Sequence, residues 1–210
     1  VHPDHIFGNA AFVQDKPIFV GHTKLPDAME RRRETYMRIN QQWLGEAFAG
    51  SEMVKPTQLV KDGMTLDLGD RKLTLTAYPT AHTNTDLTVF DQKSSTLWTG
   101  DLLFVERTPS IDGDIKGWLG VINELKMHEA ENAIPGHSDA LKNANWKAQL
   151  NNEERYLWTL LNDVRASIKK GEPMEKAMDT AAKSEQSYWK LFDVVNRRNV
   201  NTIYPALEWE

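Results

Sequence analysis

Apolar positions along this chain change period several times, and each change predicts an element. KPIFVG (16–21) is a short apolar run closed by glycine and reads as a buried strand. From Leu25 to about Ala49 the period is helical, with Met29, Tyr36, Ile39, Trp43 and Leu44 spaced by threes, fours and sevens and Gly50 as the expected stop. Alternation then takes over. Met64, Leu66 and Leu68 precede Gly69-Asp70 and Leu73 and Leu75 follow it, predicting a hairpin. DLTVFDQKSSTLWTGD (86–101) repeats the design, with Asp91 to Ser95 as the turn. Helical spacing returns at Trp118, Leu119, Ile122 and Leu125, after Asp114 as the expected N-cap. NAIPGHSDA (132–140) reads as one more short strand entering a loop, and from Trp146 onward two or three helices are punctuated near Gly171-Glu172-Pro173. The order strand, helix, strand pairs, helix, strand, helices predicts a mixed α/β layered domain over 1–210, with 146–210 as its helical C-terminal part.

Composition narrows the function classes. With 210 residues, seven Trp and seven Phe, one domain can bury a sizeable core. A net charge of −5 argues against nucleic-acid or anionic-membrane binding, which needs clustered Lys and Arg. The one basic run, Arg31-Arg32-Arg33, is flanked by Glu30 and Glu34 and reads as a solvated helix face. Cysteine is absent, so thiolate ligands and disulfides are excluded. No apolar stretch approaches the roughly 18 residues of a membrane span.

The chemistry lies at the strand ends. VHPDH places His2, Asp4 and His5 on one tight turn; His82 follows YPTA, Asp101 ends WTGD and His137 ends IPGH. Each alone has an ordinary reading: a surface histidine, a turn aspartate at Asp101, a helix cap at Asp4 near Ile6. Together they form a nitrogen and oxygen donor set suited to Zn²⁺ or Fe²⁺ with no sulfur required. His22 reads as a surface or structural residue, His128 as a partly protonated imidazole at a helix end, and Trp118 and Trp146 as packing residues. The loop FVERTPSIDGD (104–114), which leaves Asp101 directly and is stiffened by Pro109, is the expected substrate-facing segment.

At these residues the chain resembles the metallo-β-lactamase superfamily, whose members carry a His-x-His-x-Asp-His loop, a lone His, a bridging Asp and a final His. VHPDH supplies the first motif except its leading His, which would fall one residue before Val1; TAHTNTD, TGD and PGH match the rest through His82, Asp101 and His137. VGHTKLPDAMERR, LWTGDLLFVERTPSIDGDIKGWL and RRNVNTIYPALEWE look like the quinoprotein relay system zinc metallohydrolase branch over essentially the whole chain. The resemblance implies an αβ/βα four-layer sandwich lacking the N-terminal strands of its first sheet, a chain shorn of its start, and, by branch, a periplasmic location.

It also implies the roles. His2 and His82 would bind a first metal, Asp4, His5 and His137 a second, with Asp101 bridging; Asp4 would also orient the metal-activated water and pass on its proton, as the catalytic residue. The expectation is a hydrolase with a binuclear zinc site acting on a small molecule, metal-poor at the first site for want of the leading His. An exposed sheet edge makes a homodimer one expected outcome. Two rival readings stay open: a mononuclear iron dioxygenase of a sulfur substrate, and a non-catalytic fragment.

Overall fold

The computed structural model describes residues 1–138 and 145–210. Asp139 and Ala140, the end of the last expected strand segment, lie outside the described residues. The chain divides into two units, 1–63 and 64–210, each taken by itself.

In the first unit the metal-ligand turn is a short helix, α1 (Pro3–Ile6), followed by a 3-10 segment over Phe7–Asp15. Proline at the first helical position has the fixed φ that a helix start needs. Ile6 is buried with Met29 and Met53, and Phe7 meets Phe48 edge-to-face at 5.3 Å. Apolar packing therefore ties the segment down. β1 (Val20–His22) pairs in parallel with β2 (Gln58–Val60). The strand starts later than KPIFVG predicts, and only Val20 and Gly21 of that run belong to it.

α2 (Leu25–Leu44) follows, and it ends at Gly45, whose φ is +56°, rather than at Gly50. An L side chain is disfavoured there, so the first available glycine stops the helix. Only Ala28 and Met29 of α2 are buried, and Trp43 and Leu44 are exposed at 78% and 52%. Arg33 and Lys55 both pair with Glu30, Arg33 along the helix surface as its basic run predicts.

The second unit is built on a five-stranded sheet in the order β3 (Gly63–Asp67), β4 (Lys72–Ala77), β5 (Leu87–Asp91), β6 (Thr96–Phe104), β7 (Asn132–His137). Both predicted turns are present. Asp67 accepts the Gly69 N–H at 2.9 Å in the first; in the second, Asp91 accepts from Ser94 Oγ at 2.5 Å and Lys93 N at 3.1 Å and pairs with Arg71. β6 runs antiparallel to β5 and parallel to β7, the crossover being α3 (Ile115–Met127). Asp114 caps α3 by accepting from Gly117 N at 2.9 Å, as its position predicts.

Three further helices, α4 (Trp146–Lys169), α5 (Met174–Thr180) and α6 (Phe192–Leu207), complete the unit. The inward stripe of α4 reads Leu150, Glu153, Leu157, Leu160, Leu161, Val164, a helical period carrying one carboxyl into the core. Trp118 and Trp146 are buried packing residues, each indole N–H reaching a backbone carbonyl, of Leu102 and of Ala130. The chain is mixed α/β, as its pattern predicts.

Candidate metal centre

Three of the six expected ligands meet in the second unit, and only His137, closing β7, stands at a strand end; His82 lies in the loop between β4 and β5 and Asp101 within β6. Asp101 lies on β6, where the ladder to β7 slips and Gly100 takes φ +54°. Bulges of this kind re-aim side chains. One carboxylate oxygen of Asp101, Oδ2, lies 3.3 Å from His82 Nε2; the other, Oδ1, lies 3.5 Å from His137 Nε2. A tetrahedral metal with ligands at about 2.0–2.1 Å separates neighbouring donors by about 3.3 Å. The carboxylate thus faces one imidazole with each oxygen, the relation that a bridging ligand needs. His82 and Asp101 are nearly buried, at 2% and 8% side-chain exposure, and His137 is 30% exposed. Imidazole and carboxylate donors at these separations fit zinc or iron(II).

Gly136 makes this possible. A Cβ built there would stand 1.8 Å from Asp101 Oδ1, so the residue before the last ligand must lack a side chain. The same logic operates where the His82 loop meets the start of α3. A Cβ at Gly113 would stand 2.4 Å from the Ala81 carbonyl, and one at Gly117 2.0 Å from the Thr80 carbonyl.

The supporting groups are specific. His82 Nδ1 lies 2.5 Å from the Ser110 carbonyl, which accepts its proton and leaves Nε2 for a metal. Phe104 stacks on His137 (5.4 Å, 19°) and tilts against His82 (5.6 Å), and Trp118 meets His82 edge-on at 5.2 Å. The loop presenting His82 is clasped by Asp86, which accepts Thr83 N at 2.8 Å and Thr83 Oγ1 at 2.7 Å. Burial pushes the Asp86 carboxyl up, while His82 and Thr83 pull it back down. Behind Phe104, Glu153 Oε1 accepts the Phe104 N–H at 2.9 Å, and Oε2 has no hydrogen-bond partner among the described residues. Burial drives this carboxyl well above its ordinary value, the Phe104 N–H opposes that, and the charge of Asp101 adds to it.

In the first unit, His2 stands at the N-cap of α1 in extended conformation, and its carbonyl accepts the His5 N–H at 3.1 Å. Asp4 therefore lies within the first turn and does not cap the helix. Its Oδ2 is 3.5 Å from His5 Nε2, and both side chains are exposed. His22 is buried, with Nδ1 accepting the Lys24 N–H at 3.0 Å, a structural role. His128 also departs from its expected partial protonation: burial, then Lys147, hold its imidazole below the ordinary value. The 104–114 loop is less open than its expected substrate-facing role suggests, because Thr108, Pro109 and Ile111 are buried. Phe104, Asp86 and Glu153 escaped the sequence reading. A charged residue on the apolar stripe of α4 was the available signal for Glu153.

The profile of the metallo-beta-lactamase superfamily matches residues 1–148, which include all six candidate ligands. The chain belongs to the metallo-beta-lactamase superfamily. Members are generally metal-dependent hydrolases. Among solved structures, the stereoselective inverting sec-alkylsulfatase Pisa1 from Pseudomonas sp. superposes with a TM-score of 0.74 at 15% identity, over 98% of this chain and 39% of the sulfatase. A metallo-beta-lactamase family protein from Thermus thermophilus gives 0.67 at 14% identity, over 96% of this chain and 69% of the other. A metallo-beta-lactamase from Pontibacter korlensis gives 0.53 at 16% identity, over 75% of this chain and 65% of that one. The chain thus spans less than two thirds of the Pontibacter and Pseudomonas proteins. At these identities the likeness is one of fold. No curated protein matches the chain.

Proposed function

We propose that this superfamily member is a metal-dependent hydrolase of a small-molecule substrate, with zinc held by His2, Asp4, His5, His82, Asp101 and His137. The observation that carries the reading is the Asp101 carboxylate, nearly buried, with one oxygen toward each of two histidine Nε2 atoms. Burying a carboxylate is costly unless cations or donors compensate it, and a pair of imidazoles aimed at both oxygens prepares that compensation. Asp101, His82 and His137 bind. Asp4, exposed on its turn, takes the role of orienting the attacking water and accepting its proton. Two divalent cations sharing a water would bring its pKa down toward about 7 and supply hydroxide at neutral pH.

Phe104, packed against His82 and His137, and Trp118, packed against His82, give the imidazoles an apolar backing, which strengthens each electrostatic contact beside it. The motif resemblance supports placing the chain in the quinoprotein relay branch, with a periplasmic location that cell fractionation would test. Among the described residues, no helix is long and apolar enough to cross a membrane. A homodimer remains part of the proposal, to be read by sedimentation.

The test is elemental analysis of the chain purified with modest zinc, paired with a panel of sulfate esters, carboxylic esters, thioesters and lactams. Between one and about two zinc ions per chain, the lower figure being the one expected from a metal-poor first site, with chelator-sensitive turnover of one class, support the reading. One iron per chain with persulfide-dependent oxygen uptake would replace it with the dioxygenase alternative. A metal-free chain without turnover would sink both.

A further inference from the structure

We infer that Asn199, on the C-terminal helix α6, is the positioning residue that sets the His82 tautomer, acting through the Ser110 carbonyl. The inference rests on His82 being a ligand, as proposed above. Asn199 is fully buried, and its side-chain amide grips the backbone on both sides of Ser110: Nδ2 donates to the Pro109 carbonyl at 2.7 Å, and Oδ1 accepts the Ile111 N–H at 2.9 Å. Between these two anchors the Ser110 carbonyl faces His82 Nδ1 at 2.5 Å. A side-chain amide bound to one acceptor and one donor of the same short segment fixes that peptide as a neighbouring strand would.

Asn199 is itself held. Its Nδ2 also donates to Tyr156 Oη at 2.8 Å, and that hydroxyl donates to Asn196 Oδ1 at 3.0 Å. Both Nδ2 hydrogens and the carbonyl are used, so the orientation of the amide is determined by its partners. The same loop is sewn to the His82 segment further on, where Asp112 N donates to the His82 carbonyl and Asp114 N to the Ala81 carbonyl, each at 2.9 Å.

An imidazole has two neutral tautomers, and only the one with its proton on Nδ1 offers a lone pair at Nε2. A free imidazole side chain favours the proton on Nε2, the wrong nitrogen for this site. The fixed carbonyl, at 2.5 Å from Nδ1 against 3.3 Å from Nε2 to Asp101 Oδ2, outweighs both that preference and the pull of the carboxylate on Nε2 before any metal arrives, and partners of this kind are worth about 10–100-fold in metal affinity. A carbonyl on a loose loop could not hold the preference. The buried loop 108–111 therefore serves the site as a support for His82, with α6 as its brace.

The experiment is two-bond ¹H–¹⁵N correlation spectroscopy of the histidine rings in the full metal-free chain, above the imidazole titration range, with His82 assigned through its loss in His82→Gln. The wild type should show His82 with the proton on Nδ1. Asn199→Ala should lose that single pattern and gain Nε2–H, and should bind zinc about 10–100-fold more weakly. Asn196→Ala, which removes a buried amide of the same helix that touches Tyr156 and the Ala181 carbonyl but not the loop, should keep it. Should Asn199→Ala not fold, the near-isosteric Asn199→Leu has neither the acceptor for Ile111 nor the donor for Pro109 in any protonation state, and it should shift the same way.

A wild type with the proton on Nε2 overturns the inference without any variant. A folded Asn199 variant with an unchanged tautomer, or an equal loss in Asn196→Ala, overturns it too. Because the spectrum is taken without metal, failure to bind zinc would sink the hydrolase reading and leave this result standing.

Discussion

At the scale of single residues, what the site requires is as much missing side chain as present ones. Gly136→Ala puts a methyl where Asp101 Oδ1 sits. The carboxylate must turn away and the β6 backbone at Gly100-Asp101, 2.9 Å from the new Cβ, must give way, so zinc affinity measured by competition with a chelating dye should fall by at least about 10–100-fold and the melting temperature should drop with it. Glu153 gives a sharper test through pH. Its folded-state pKa is raised, so above about pH 4.3 the unfolded chain releases a proton that the folded chain keeps. Stability from this residue is therefore greatest below that pH and declines as pH rises toward the folded value. In the metal-free chain, Glu153→Gln should flatten this part of the pH dependence, so that its melting temperature relative to wild type climbs from acid to neutral pH. An unchanged slope would show the carboxyl to be ionised in the fold.

At the scale of elements, the His82 loop depends on Asp86 much as the second hairpin turn depends on Asp91. Asp86→Ala strands the buried Thr83 N–H and leaves the Thr83 hydroxyl only Thr85 as a partner, and it should cost about 1–3 kcal/mol by urea denaturation, with zinc binding weakened as well. The Asp91 carboxyl is held far below the usual carboxylate range by Arg71 first and Ser94 next. Its contribution is present above the ordinary carboxyl pKa and is lost as pH falls, so Asp91→Asn should be less acid-sensitive than wild type, as followed by tryptophan fluorescence. Legibility in the sequence divides along the same lines. The hairpin turns, the Asp114 cap and the short motifs around His82, Asp101 and His137 were readable because each depends on neighbours in sequence. Gly45 ending α2, the exposed Trp43, and the grip of Asn199 on residues 109–111 were not, since helical period does not say which face finds a cover and no local pattern pairs positions 88 and 90 residues apart.

At the scale of the whole molecule, metal should act as a stabilising ligand if it binds only the folded chain. Zinc at about 100 times its dissociation constant adds about 2.7 kcal/mol per site, and excess chelator should remove that gain along with turnover. Calorimetry with and without zinc would register it, and identical melting curves would count against a folded-state site. The brace on the His82 loop has a consequence for the order in which the chain matures. Residues 82, 110 and 199 are far apart along the chain, and contacts of such span close late because their loop entropy must be met first. During synthesis the donors of the first 140 residues emerge long before α6 does. Until α6 docks, His82 has no fixed carbonyl to choose its tautomer. Before α6 docks, zinc capture at His82 should therefore be weaker by the same factor of about 10–100 as in Asn199→Ala, and binding tightens as the helix arrives.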